Sequence, residues 1–436
     1  MCDCTRRAFL KAGGLSLFSL GLGGSPLFLG RTALTAAGPP PLGRRRVLVA
    51  IFQRGAMDGL AALPPLDERA LRRLRPRLAM SAARSIGRGG GEALLDLDGR
   101  FGLHPGFAPL VPLWREGRLA AVHAVGSPDP TRSHFDAQDY METGTPGRKG
   151  TPSGWLNRVS GLLGHEATPW RAVAMTAALP RSLSGDQPAV AVTDLADFAL
   201  SLPGVPGAGG VGSAAATAGL EARYEGASQQ VLRSTINETF EAISMLSARE
   251  LASYRPAPGA AYPPSPLGGS LRQVAQLIKG DVGLEVAFAE SGGWDTHVRQ
   301  GAADGTFARR ARDLAQSIAA FWTDLGDRQD EVALMTMTEF GRTAAENGSG
   351  GTDHGHGSCL FVVGNRVDGG KVHGRFPGLD PDALHEGRDL PVTTDFRAVF
   401  AGVAGAHLGI AGDEAMFPGW AGGRMALIRS AQVGSG

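Results

Sequence analysis

Cysteine is scarce in this chain: there are three in 436 residues, Cys2, Cys4 and Cys359. Two of them lie in an N-terminal segment that reads as removable, and a lone Cys359 then excludes an internal disulfide. Stability has to come from a buried core, which roughly 400 residues can supply. An excess of one charge is also missing. Lys and Arg number 43 against 42 for Asp and Glu, for a formal net charge of +1. That leaves no basic field for nucleic acid and no acidic tail for a cationic partner. No internal repeat is evident. The uncharged stretch from Ala12 to Gly30 is nearly long enough to span a membrane, but glycines, Ser25 and Pro26 keep it only mildly hydrophobic. Glycine is what the chain has in excess, with 64 residues, about twice the usual share. Many tight turns and irregular loops on a regular scaffold follow from that.

Thr5-Arg6-Arg7-Ala8-Phe9-Leu10-Lys11 matches a twin-arginine export signal, and the small residues from Ala33 to Gly38 suit cleavage near Ala36 or Ala37. Residues 1–37 therefore read as a signal peptide, with a membrane anchor as the alternative. The expected partner during export is the twin-arginine translocase, and the expected destination is the periplasm, with no stable membrane anchor after cleavage. That route carries folded proteins, which suits a chain that takes up a metal first. Residues 44–430 read as one domain, with the Gly/Ala-rich stretch 202–219 as a mobile surface loop.

The fold class is α/β, a central mostly parallel (mixed) sheet sandwiched by helices. Val47 to Phe52 is an unbroken apolar run, as a strand buried on both faces requires. Further runs are Leu119 to Val125, Ala172 to Met175, Leu284 to Ala289 (interrupted by Glu285), Val332 to Met337 and Leu360 to Val363. Amphipathic helical patterns lie between them: Phe307, Ala311, Leu314, Ile318, Phe321 and Leu325 share one face, as do Leu232, Ile236, Phe240, Ile243 and Leu246.

In such sheets ligands bind beyond the carboxyl ends of the strands, and the residues with usable chemistry gather there. Asp58 follows the first strand. Arg132, Ser133, His134 and Asp136 follow the second. Asp295 and His297 follow the fourth, and Glu339 and Arg342 follow the fifth. Gly351-Thr352-Asp353-His354-Gly355-His356-Gly357 precedes the last. Imidazole and carboxylate hold zinc, manganese or iron, and glycines let a loop fold them inward. Each residue also has a plain structural reading. Asp58 and Ser133 can cap helices, Asp295 and His297 can bond each other across a turn, and Glu339 and Arg342 can form an ordinary ion pair. His104, His123, His165, His385 and His407 are isolated and read as structural or surface residues; His373 is undecided.

The ordered set Arg54-Gly-x-x-Asp58-Gly, Arg132-Ser-His-Phe-Asp136, Gly292-Gly-Trp-Asp-Thr-His297, Thr338-Glu-Phe-Gly-Arg-Thr343 and Gly351-Thr-Asp-His-Gly355 resembles the bacterial domain-of-unknown-function 1501 family, from about Arg44 to the C-terminus. That family is placed in the alkaline phosphatase and sulfatase clan. The resemblance implies a metal site at the carboxyl edge of the sheet. It matches Asp58 to the clan's first Asp ligand, and Asp295 with His297 to its Asp and His pair. The clan's nucleophile starts a helix that ends in Thr-Gly, like Thr143-Gly144. Its spacing counts back to His134, with Ser133 one residue further. Two places compete for the clan's Asp-His-Gly: Asp353-His354-Gly355 by letters and Glu339-Phe340-Gly341 by position. On the positional reading, His354 or His356 supplies the final His.

The resemblance implies a metal-dependent hydrolase of phosphate or sulfate esters. Its metal ligands would come from Asp58, Asp295, His297, Glu339, Asp353, His354 and His356, holding a divalent zinc, manganese or calcium ion. Ser133 would attack a small anionic ester, and Arg132 or Arg342 would hold its oxygens. The alternative is a non-catalytic periplasmic protein that binds a metal or an anionic glycan on the same fold, and the one-residue offset at Ser133 favours it. A metal-dependent oxidoreductase has nothing further in the sequence behind it.

Overall fold

Val47–Gln53 (β1) is buried along its whole length, because parallel partners cover both of its edges and helices cover both of its faces. The computed structural model describes residues 44–81, 93–196 and 253–429. The segment 1–37 expected to be a signal peptide, the Gly/Ala-rich stretch 202–219 and the helical pattern from Leu232 to Leu246 lie outside the described residues.

Among the described residues the main sheet has nine strands. After β1 come β2 (Leu119–Gly126), β3 (Ala172–Ala174), β4 (Val190–Ala191) and β5 (Val286–Ser291). They are followed by β6 (Val332–Met337), β7 (Ser358–Val363), β8 (Lys371–His373) and β9 (Thr394–Asp395). Their order across the sheet is β8-β2-β7-β6-β1-β5-β3-β4, with β9 also paired to β2. Only β7 runs against its neighbours, antiparallel to both β2 and β6; the other pairings are parallel. The α/β class with a mixed, mostly parallel sheet is therefore as read from the sequence. Several strand ends shift by one or two residues, the fourth expected strand most. The strand expected from Leu284 begins at Val286 and continues through Glu290 to Ser291, because the ladder to β1 runs on to Gln53 opposite Ser291. Glu290 is tolerated there because its carboxylate meets Arg54 at 2.7 Å.

Side chains on β1 alternate between two cores. Val47, Val49 and Ile51 face a layer built on α3 (Pro266–Lys279) and α4 (Thr306–Leu325), including Leu271, Val274, Leu314 and Phe321. Leu48, Ala50 and Phe52 face the other layer, which includes Trp155 of α2 (Trp155–Gly161) and Phe396 and Phe400 of α5 (Phe396–Leu408). One more helix, α1 (His134–Thr143), follows β2 at the carboxyl edge. Burying each large apolar side chain contributes about 1.5–3 kcal/mol, so the two cores take the place of the missing disulfides.

Two of the isolated histidines are structural, and they give the fold an acid limit. His407 Nε2–H is shared between the carbonyls of Val47 and Glu331, both at 3.1 Å, and His123 Nε2–H donates to Leu63 O at 3.1 Å. Burial pushes each of them down to about 4 from an ordinary value of 6.5. Between those values the unfolded chain binds protons that the folded chain refuses, so stability falls as pH drops through the window and is unaffected above it. The expected slope is about 1.4 kcal/mol per pH unit for each histidine. Denaturant unfolding at a series of pH values should show it, and His407→Gln should lower the slope by about one proton. An unchanged slope in that variant would contradict this account.

Candidate metal centre

Five segments meet at the carboxyl edge of the sheet. Four are the loops that leave β1, β2, β5 and β6. The fifth is the segment 351–357, which leads into β7. It reaches this edge only because β7 is antiparallel, which brings its N-terminal end alongside the C-terminal ends of the others. Two glycines allow the close approach. Gly55, at φ +112°, packs so tightly that an added Cβ would sit 2.5 Å from Asp295 N. An added Cβ at Gly351 would collide with the carbonyls of Thr296 and His297.

Three side chains converge, with His297 beside them. His134, Asp295 and His354 each offer a ligand atom within 4.8 Å of the other two. Asp295 Oδ1 lies 3.7 Å from His134 Nε2, 3.5 Å from His354 Nε2 and 3.2 Å from His297 Nε2. His297 Nε2 is 2.9 Å from His354 Nε2. Each ring also has an acceptor behind it: Nδ1–H donates to Glu339 Oε1 at 2.8 Å from His134, to Arg132 O at 2.8 Å from His354, and to Asp353 Oδ1 at 3.0 Å from His297. With its proton on Nδ1, His354 presents its Nε2 lone pair toward His297 Nε2 and Asp295 Oδ1, and His134 Nε2 faces the same carboxylate oxygen. Second-layer acceptors orient metal-binding histidines in this way.

Electrostatics act differently on the rings. Burial, opposed by the bond to Arg132 O, holds His354 below its ordinary value, so its ring is neutral at pH 7. The two Nε2 atoms of His297 and His354 approach each other closely, Arg342 Nη1 lies 3.5 Å from His297 Nε2, and a cation held between the rings would satisfy both. His134 is raised, chiefly by its bond to Glu339, and its Nε2 is buried with no partner. Burial works against ionisation of Asp295, yet the bond and charge of Arg342 outweigh it and keep Asp295 below the usual carboxylate range. Glu339 is fully buried and still lowered, held by His134, Gln138 Nε2 and Gly55 N. Phe340 walls the cluster, with its ring centroid 4.9 Å from that of His134 and 5.0 Å from that of His354.

Of the residues singled out from the sequence, Asp295, His297 and His354 share this cluster. Glu339 and Asp353 stand behind it as partners of its histidines. The structure places the others elsewhere. Asp58 is buried away from the converging atoms; its oxygens accept from Arg75 Nη1 at 2.8 Å, Gln300 Nε2 at 2.6 Å and Ala61 N at 3.1 Å. His356 donates from Nε2 to Ser127 O at 2.9 Å and packs on the ring of His385. Ser133 is the N-cap of α1, accepting weakly from Asp136 N at 3.5 Å. Arg342 is buried and spends its donors on Asp295 and on the carbonyls of Gly55, Ala56, Trp294 and Thr352. Arg132 turns its guanidinium to Asp389 and Glu386, and only its carbonyl touches the cluster. The oxygens of Asp58, the Nε2 of His356, the hydroxyl of Ser133 and the donors of Arg342, expected from the sequence to serve as ligands, nucleophile and anion grip, are thus engaged with other groups, while His356 Nδ1 is buried without a partner.

The member that the sequence did not assign is His134. Its signal was the spacing back from Thr143-Gly144, which lands on it. Gly144 closes α1 in the left-handed conformation that this count assumes.

The fold and cluster together define an α/β protein with a histidine-rich candidate metal centre at the carboxyl edge of its sheet. A family described as "Protein of unknown function (DUF1501)" matches residues 109–417, and the chain belongs to that family. No curated protein and no solved structure matches the chain.

Proposed function

We propose that this protein is an exported metal-dependent hydrolase of phosphate or sulfate esters, on a fold like that of the alkaline phosphatase and sulfatase clan, working without a covalent serine intermediate. One observation carries the reading: ligand atoms of His134, Asp295 and His354 lie within 4.8 Å of one another with His297 Nε2 beside them, and each imidazole has its other nitrogen against an acceptor. This donor set fits a divalent ion. Three imidazoles suit zinc or another transition metal better than calcium, which prefers oxygen. Such an ion supplies Lewis acidity, polarising an ester oxygen and lowering the pKa of a coordinated water. His134, His297, His354 and Asp295 would hold it, while Glu339 and Asp353 make the rings behind which they stand more basic. Asp295 and His297 are 45% and 40% exposed, which leaves the centre open to a ligand from solvent.

A second reading has an observation of its own. Ser133 serves as a helix cap, so the cluster holds no evident nucleophile from the chain, and a protein that binds a metal or an anionic glycan without turnover would look the same. Hydrolysis of an aryl phosphate and an aryl sulfate by zinc-loaded protein separates the two. The proposal expects turnover that is lost in His354→Ala. Ser133→Ala should keep it, with metal content unchanged and a stability cost of about 0.5–1 kcal/mol for the weak cap. Full zinc occupancy with no turnover of either ester would favour the binding protein.

The export part of the proposal rests on Arg6-Arg7 and the mild apolar run after them. Replacing both arginines by lysine should strand the precursor in the cytoplasm on cell fractionation. Undiminished export of that variant would contradict it.

A further inference from the structure

The cations around the cluster differ in what they have left to offer a ligand. Arg342 is buried, with its donors spent on Asp295 and four carbonyls. Arg132 is neutralised by Asp389 and Glu386, and Arg54 by Glu142 and Glu290. Arg388 is different. Its side chain is 41% exposed, and its single hydrogen bond runs from Nη2 to His354 O at 2.7 Å. Its Nε makes a long ion pair with the buried Asp389 Oδ1 at 3.7 Å, without a hydrogen bond, and among the described residues Nη1 forms no hydrogen bond. The bond to His354 O fixes the guanidinium beside a residue of the cluster, and its charge is felt at Asp353, another cluster partner. An exposed guanidinium held at one corner, with its remaining donors free, is built to receive a tetrahedral oxyanion.

From this we infer that Arg388 is the anion-binding residue of the site, the role for which Arg132 and Arg342 are unavailable. It would grip the phosphate or sulfate oxygens of a ligand seated at the metal centre. The inference rests on the proposed ester chemistry and names the group that recognises its anionic part. Inorganic phosphate is the probe, titrated calorimetrically into zinc-loaded full-length protein at fixed ionic strength, since salt screens an exposed charge. Arg388→Gln should weaken phosphate binding about 10- to 100-fold, the range expected for hydrogen bonds to a charged group, with zinc content unchanged. Arg388→Lys, which keeps the charge and loses the fork, should fall between the variant and the native protein.

Equal phosphate affinity in native and Arg388→Gln proteins would overturn the assignment and leave the ester reading standing. Loss of zinc in Arg388→Gln would also overturn it, by showing that the residue only positions His354. Absence of phosphate binding by the native zinc-loaded protein would remove the ester reading itself, and this assignment with it.

Discussion

Replacing His354 by alanine should lower the affinity for zinc by about two to three orders of magnitude, without unfolding the protein. Structural zinc sites bind with about 10–16 kcal/mol, which over four ligands is roughly 2.5–4 kcal/mol each. His354 is central to the cluster: its ring centroid lies 4.3 Å from that of His134 and 4.6 Å from that of His297, and its Nε2 faces both His297 and Asp295. The ring is partly exposed, so its removal leaves a small void at the surface and not a hole in either core. Glu339→Gln should act more mildly, costing about 10- to 100-fold in affinity, because it weakens the acceptor behind His134 and leaves every ligand in place. Competitive titration against a chromophoric chelator measures both. Zinc affinity unchanged in His354→Ala would refute the assignment of this ring.

Replacing Arg75 by alanine should destabilise the fold by roughly 3–5 kcal/mol, the cost of stranding one member of a buried ion pair. Arg75 and Asp58 are 2% and 1% exposed at the side chain. Arg75 also donates to Ala344 O at 2.9 Å and Thr343 O at 2.7 Å, tying the segment after β1 to the loop after β6. Without it, Asp58 keeps only Gln300 and a backbone amide for its charge. Chemical denaturation measures the loss. The companion variant Asp58→Asn should also be destabilised and yet bind zinc within a few-fold of the native protein. Loss of zinc binding in Asp58→Asn without loss of stability would restore Asp58 as a ligand.

That second result bears on how far the sequence could be read. The strands were legible because burial on both faces demands unbroken apolar runs, and β1 and β6 show this most plainly. The direction of β7 was not legible, since an apolar run looks the same either way, yet that direction delivers His354 to the site. Asp295 and His297 were legible because a Gly-rich loop at the end of a strand has few other uses for such a pair. Asp58 and Ser133 stayed ambiguous because an N-cap and a ligand call for the same residue types just after a strand, and only the partners of their oxygens separate the two. Arg342 stayed ambiguous for a related reason: a guanidinium that knits four backbone carbonyls together looks, in sequence, like one that waits for a substrate. His134 lay one residue from the residue assigned, on a helix whose Gly144 ending already counted back to it. Arg388 carried no signal, because its place beside His354 depends on the return of the chain after β8.

The most direct measurement of the central claim is X-ray absorption at the zinc edge of zinc-loaded protein, with zinc quantified per chain. The account predicts one ion per chain and a first shell dominated by imidazole nitrogen with a carboxylate oxygen, and it predicts that His134→Ala loses one of those nitrogens. A first shell without imidazole, or one identical in the native and His134→Ala proteins, would contradict it.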